Sequence, residues 1–130
     1  CVIDLDTVMP GLALYDFGDM VRTATNSAPE DEPDVTKVHM RMPMFEALVR
    51  GYLASAGGFL NATEKELLPF SGKLLTFECA IRFLTDYLQG DVYFKTRRPG
   101  QNLDRCRSHF KLVESIEEQH EAMLEVVRRW

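Results

Sequence analysis

The acids at the start of this chain carry its first chemical suggestion. Cys1-Val2-Ile3-Asp4-Leu5-Asp6-Thr7 sets two carboxylates among apolar residues, with Pro10-Gly11 close behind. In extended backbone alternate side chains share a face. Val2, Asp4 and Asp6 then lie on one face, Ile3 and Leu5 on the other. A carboxylate at the end of such a segment is a hard oxygen ligand. Magnesium takes one or two of these and fills its shell with water and phosphate oxygens. The same residue type before a turn is also an ordinary turn former. Asp16, in Asp16-Phe17-Gly18-Asp19, has a different setting. It falls in the first turn of a helical pattern, where a carboxylate suits the positive end of the helix dipole and captures backbone N–H groups.

Other candidates lie further on. Arg82 is a guanidinium within the most apolar stretch of the chain. Its stem can pack while its head reaches solvent or pairs with Asp86, four residues on, or its planar fork can address a ligand oxygen. Tyr93, in Asp91-Val92-Tyr93-Phe94, follows a helix stop and can line a cleft or pack at its rim. The cluster Lys95-Thr96-Arg97-Arg98 can neutralise a phosphate or form a solvated loop. Trp130 can stack on a flat ligand or cap an apolar groove. His39, His109 and His120 show no ligand spacing for a metal. Cys1, Cys79 and Cys106 form no CxxC pair, so a disulfide framework or structural zinc site is not expected. No GxSxG elbow supports a serine nucleophile.

Helices must position most of these groups. Pro10-Gly11 ends the initial strand, and Leu14, Phe17, Met20 and Val21 then recur at helical spacing. Residues 26–37, NSAPEDEPDVTK, read as an acidic loop, and VHMRM (38–42) as a short extended piece. Pro43 opens a helix carrying Phe45, Leu48, Val49, Tyr52, Leu53 and Ala56, which Gly57-Gly58 stops. Thr63 and Glu66 fit a capping box for a short helix interrupted at Pro69 or Ser71-Gly72. Lys73 to Gln89 is apolar on most sides and is expected to be the central buried helix, ended by Gly90. After a turn at Arg97-Arg98-Pro99-Gly100, a long amphipathic helix with at most one break runs from Leu103. The fold class is mainly α, a helical bundle with one short N-terminal β-strand.

The 130 residues allow one domain. With 20 acidic against 15 basic residues, the net charge is −5, which disfavours a nucleic-acid surface. No apolar run reaches the ~20 residues that span a bilayer, and no signal-like segment is present. A cytoplasmic location is expected.

The segment Val2-Ile3-Asp4-Leu5-Asp6-Thr7, Pro10-Gly11 and Tyr15-Asp16-Phe17-Gly18-Asp19 resembles the aminoglycoside phosphotransferase superfamily, small-molecule relatives of the protein kinases. The form IDLDTVMPG…YDFGD is most similar to the N-acetylhexosamine 1-kinases, which phosphorylate the anomeric hydroxyl of an N-acetylhexosamine. The motif region covers about residues 2–22; Gly51-Tyr52-Leu53 and the Phe77–Phe94 stretch are looser likenesses. The resemblance implies roles residue by residue. Asp4 matches the metal-binding acid, with Asp6 a second ligand or a brace for the turn. Asp16 matches the acid that holds the catalytic loop rigid. Arg82 and Tyr93 match residues that contact the acceptor sugar. Mg2+ and ATP are the implied cofactors.

Phosphoryl transfer also requires a phosphate loop, a lysine and an acceptor-orienting aspartate, and none is found in residues 1–130. The chain is therefore expected to be the C-terminal portion of the large lobe of such a kinase. Alone it should be inactive, with self-association through its N-terminal strand. Related kinases acting on an aminoglycoside, choline or homoserine remain open, as does a non-catalytic helical interaction module.

Overall fold

The computed structural model describes Leu5 and residues 8–130. The expected N-terminal strand, and with it Asp4 and Asp6, lies outside the described residues. Among those described there are six α-helices: α1 Ala13–Ala24, α2 Met42–Ala56, α3 Ala62–Glu66, α4 Leu68–Leu88, α5 Gln101–Glu118 and α6 His120–Arg128. A 3₁₀ turn at Val35–Lys37 interrupts the acidic loop. The architecture is a helical bundle, as the periodicities require.

Helix α4 is the axis, packed mainly against α1 on one side and α5 on the other. The core gathers Phe17 and Val21 of α1, Phe45 and Val49 of α2, Leu112 and Ile116 of α5, and Met123 of α6, all fully buried. Phe17 meets Phe45 edge-on at 6.1 Å and Tyr52 at 5.0 Å. The Tyr52 hydroxyl donates to the Ala13 carbonyl at 3.1 Å, fastening α2 to the start of α1. These contacts explain two letters of the Asp-Phe-Gly triplet by packing. Phe17 fills the core, and Gly18 sits where a Cβ would collide with the Ser71 carbonyl of α4. Gly72 reciprocates, since a Cβ there would lie 2.6 Å from Val21 Cγ1. The two glycines let α1 and α4 approach closely, Gly18 against the α4 backbone and Gly72 against the Val21 side chain.

The extended piece at 38–41 pairs with the end of α1 in an isolated antiparallel bridge between Asn26 and Met40. Ser27 N–H donates to the His39 carbonyl and Arg41 N–H to the Thr25 carbonyl, at 3.1 and 3.0 Å. Val38 and Met40 are thereby turned into the core. The break in the last helix falls at Gln119, whose side-chain amide donates to the Met40 carbonyl at 3.0 Å and to Ser115 O at 3.2 Å. Ending the ladder there lets one side chain tie α5, α6 and the extended piece together.

Three expectations need correction. The capping box is Asn61 with Glu64, not Thr63 with Glu66: Glu64 N–H donates to Asn61 Oδ1 at 2.9 Å and Asn61 N–H to Glu64 Oε2 at 2.8 Å. An asparagine caps as well as a threonine, and it stands two residues earlier. Pro69 and Ser71-Gly72 do not interrupt a helix. Pro69 occupies the first turn of α4, where its missing N–H costs nothing, and Gly72 is retained inside the helix for the approach of α1. Finally, α4 is not buried on all sides. Leu74, Phe77 and Ile81 are each about two-fifths exposed and Leu88 almost three-quarters. Its inner stripe, Thr76, Ala80 and Phe83, is buried.

Candidate functional site

The C-terminal end of α4 and the segment after it form the most organised polar site among the described residues. The helix stops at Leu88, and Gly90 (φ 93°) and Asp91 (φ 57°) both take left-handed backbone. Glycine adopts this freely and an aspartate tolerates it. The reversal turns residues 92–94 back towards the last turn of α4, where Asp86 waits. Its carboxylate, 3 % exposed, accepts the backbone N–H groups of Val92 (2.9 Å), Tyr93 (2.7 Å) and Phe94 (2.9 Å) and the Asn102 side-chain amide at 2.8 Å. Burial by itself would raise the Asp86 carboxyl, but the amides of Phe94, Tyr93 and Val92, with Asn102, outweigh it and hold the group below the usual carboxylate range.

That anchorage fixes two aromatic rings. Tyr93 and Phe94 stand edge to face at 4.8 Å, and Phe94 lies against Phe83 of α4 at 4.6 Å. The Arg82 guanidinium lies 5.5 Å from the Phe94 ring centre and 6.0 Å from that of Tyr93, within cation–π range. The result is a shallow groove of about 370 Å³ lined by Arg82, Thr85, Asp86, Gln89, Tyr93 and Phe94. That volume suits a small ligand. Among the described residues Arg82 has one loose ion pair, to Glu78 at 3.9 Å, and does not pair with Asp86. Half of its side chain and 73 % of Tyr93 remain exposed. A guanidinium fork, a phenol and the amide of Gln89 thus face one space, an arrangement able to bind a neutral, oxygen-rich molecule through hydrogen bonds and ring contact.

Behind the groove runs a second polar chain. Asn102 also donates to Asp91 Oδ1 at 2.8 Å and accepts from Arg105 at 2.8 Å. Arg105 stacks over Phe83 at 5.3 Å and pairs with Glu30 at 3.2 Å, and Glu30 pairs with Arg22 at 3.2 Å. Buried His109 donates from Nδ1 to the Arg105 carbonyl (2.8 Å), which leaves Nε2 to accept from Arg22 (3.3 Å). Burial, the largest cause, lowers its pKa, helped by the neighbouring Arg22 and opposed by the hydrogen bond to the Arg105 carbonyl.

Of the residues singled out from the sequence, Arg82 and Tyr93 come together in this groove. Asp16 is exposed in the first turn of α1, beside a separate surface depression lined by Met9, Pro10, Gly11, Leu12, Ala13 and Tyr15. Asp4 and Asp6 lie outside the described residues, and among the described ones no group of three acidic, histidine or cysteine side chains is placed to hold a metal. Cys79 is half-buried and Cys106 buried, both as free thiols raised by burial. Trp130 is more than half exposed. Among the described residues no helix is long and apolar enough to cross a membrane.

Asp86 and Phe94 were not singled out from the sequence. A signal for Asp86 existed: an acid in the last turn of a helix opposes the dipole, so its presence before Gly90-Asp91 calls for backbone donors just downstream. A scan against protein-family models finds no match to this chain.

Proposed function

We propose that the chain is the C-terminal part of the large lobe of a small-molecule kinase that phosphorylates the anomeric hydroxyl of an N-acetylhexosamine. The observation that supports this reading most is the meeting of Arg82 and Tyr93. They lie on different elements, were assigned to an acceptor sugar through the resemblance alone, and share one groove of small-ligand size. In this reading Arg82 offers its fork to a sugar hydroxyl or the acetamido carbonyl, and Tyr93 and Phe94 contact the ring. Asp86 holds both aromatic residues in register. Asp4 and Asp6 are the oxygen donors for the magnesium ion of ATP, and Asp16 supports the catalytic loop. The ion would neutralise charge on the transferred phosphoryl group.

The test is an amide NMR titration of the chain with N-acetylglucosamine, with an aminoglycoside and choline as controls. Saturable shifts at residues 82–94 that disappear in Arg82→Ala and Tyr93→Phe, with no response to the controls, are expected. A response to the aminoglycoside alone moves the acceptor class, and no response to any of them removes the acceptor assignment. The chain by itself is expected to show no ATP turnover.

The outer stripe of α4 favours a second reading, a helical interaction module. Leu74, Phe77 and Ile81, with Phe110 edge-on to Phe77 at 5.9 Å, present apolar area to the outside. A stable complex formed through that stripe, with no sugar binding, would select it.

A further inference from the structure

The basic cluster that follows Tyr93 is not used by the acceptor groove, and it lines a space of its own. Lys95, Arg97, Arg98, Gln101, Arg105 and Asp31 surround a groove of about 600 Å³. Four cations line it against Asp31, with Asp104 and Glu30 paired to Arg98 and Arg105 beside it, which leaves a local excess of positive charge on a chain of net charge −5. The segment carrying them is built rather than loose. Arg97 N–H donates to Gln101 Oε1 at 2.6 Å, Gln101 Nε2 donates to Asp31 Oδ2 at 2.9 Å, and Arg105 donates to the Lys95 carbonyl at 3.3 Å.

The cations fall into two pairs. Arg98 is held by Asp104 at 2.5 Å and Asp31 at 3.5 Å, and Arg105 by Glu30 at 3.2 Å. Arg105 is oriented by its hydrogen bonds to the Lys95 carbonyl and Asn102 Oδ1, at 3.3 and 2.8 Å, rather than by Glu30. Lys95 and Arg97 are exposed, and neither has a carboxylate partner among the described residues. Asp31, the acid of the groove, is already engaged by Gln101 and Arg98. The N-terminus of the 18-residue helix α5 adjoins the cluster at Gly100, with no side chain capping it and Asp104 in its first turn.

We propose that this groove binds a small phosphate-bearing anion, taken up between Lys95 and Arg97 with Arg98 and Arg105 as the oriented floor. Guanidinium forks match phosphate oxygens bidentately, and a lysine adds an adaptable point charge. The footprint is too small and the chain too acidic for a nucleic-acid backbone. This site does not depend on the kinase reading, and either can fail without the other.

The experiment is an amide NMR titration of the isotopically labelled chain with inorganic phosphate at constant ionic strength, with sodium chloride as the blank. A sugar phosphomonoester forms a separate arm. Saturable shifts confined to residues 95–105 are expected with phosphate and absent with chloride. The double variant Lys95→Ala/Arg97→Ala should keep the rest of the spectrum, because both side chains are exposed, and bind phosphate roughly tenfold or more weakly. Tighter binding of the phosphomonoester would identify the organic phosphate as the ligand, and equal binding the phosphate group alone. Shifts that match the chloride blank, or a double variant that binds as tightly as the parent, would overturn the site.

Discussion

The Asn102 side-chain amide donates to Asp86 Oδ2 and to Asp91 Oδ1, each at 2.8 Å. One residue of α5 thereby ties the end of α4 to the left-handed turn behind it, while its own carbonyl accepts from Arg105. Asn102 is fully buried, so no water replaces it cheaply. Asn102→Ala is expected to cost about 1–3 kcal/mol, since it leaves buried acceptors short of donors. A denaturant titration measures it, and a loss within error of zero would show that the network is slack.

The Asp86 carboxylate sets a pH dependence with a definite sign. Its pKa in the folded chain is lowered, by its amide donors against burial. The stability it contributes is therefore present above the ordinary carboxylate value and lost as pH falls through the lowered one. The carboxyl carbon of Asp86 should titrate below the usual range, and the amide protons of Val92, Tyr93 and Phe94 should move with the same midpoint. A midpoint at or above the ordinary value would contradict the three-amide geometry.

Gly18→Ala and Gly72→Ala test the contact of α1 with α4. At Gly18 the obstacle is a backbone carbonyl, which cannot rotate away; at Gly72 it is the Val21 side chain at 2.6 Å. Gly18→Ala is expected to destabilise by about 1–3 kcal/mol, more than Gly72→Ala, despite alanine's better helix propensity. Thermal melts of the two variants rank them, and a stabilised Gly18→Ala would mean that the helices separate without penalty.

The Ser108 hydroxyl is buried with no hydrogen-bond partner among the described residues. Ser108→Ala removes that unpaired group and improves helix propensity, so a gain of up to about 1 kcal/mol is expected. A clear loss on unfolding would reveal a partner for this hydroxyl.

The sequence disclosed most of the helices because their buried faces repeat at the helical period. Phe45, Val49 and Ala56 are both the periodic and the buried residues of α2. Local chemistry was less legible where two signals overlapped. Thr63 with Glu66 fits the capping pattern, yet the helix starts two residues earlier on Asn61 with Glu64, the same pattern in another register. Gly72 resembles a breaker when the partner that requires it, Val21, is 51 positions away in the sequence. In the groove, Arg82 stands out as a guanidinium in an apolar stretch and Tyr93 as an aromatic after a helix stop, while only the resemblance gives either an acceptor role. Asp86 offered only its unfavourable place in the last turn of a helix as a signal; its three amide partners are groups that every residue except proline has. The acidic loop carries no periodicity that shows its partners, and in the fold Glu30 and Asp31 hold Arg22, Arg105 and Arg98.

The paired glycines have a mechanical consequence. Gly18 sets α1 against the Ser71 carbonyl and Val21 sits over Gly72, so a change in the tilt of α1 bears directly on α4, with a pivot near Gly72. Arg82 rides ten residues beyond that pivot, about 15 Å along the rod. A tilt of a few degrees about that point would move Arg82 by about an ångström, a change in the width of the groove beside Tyr93.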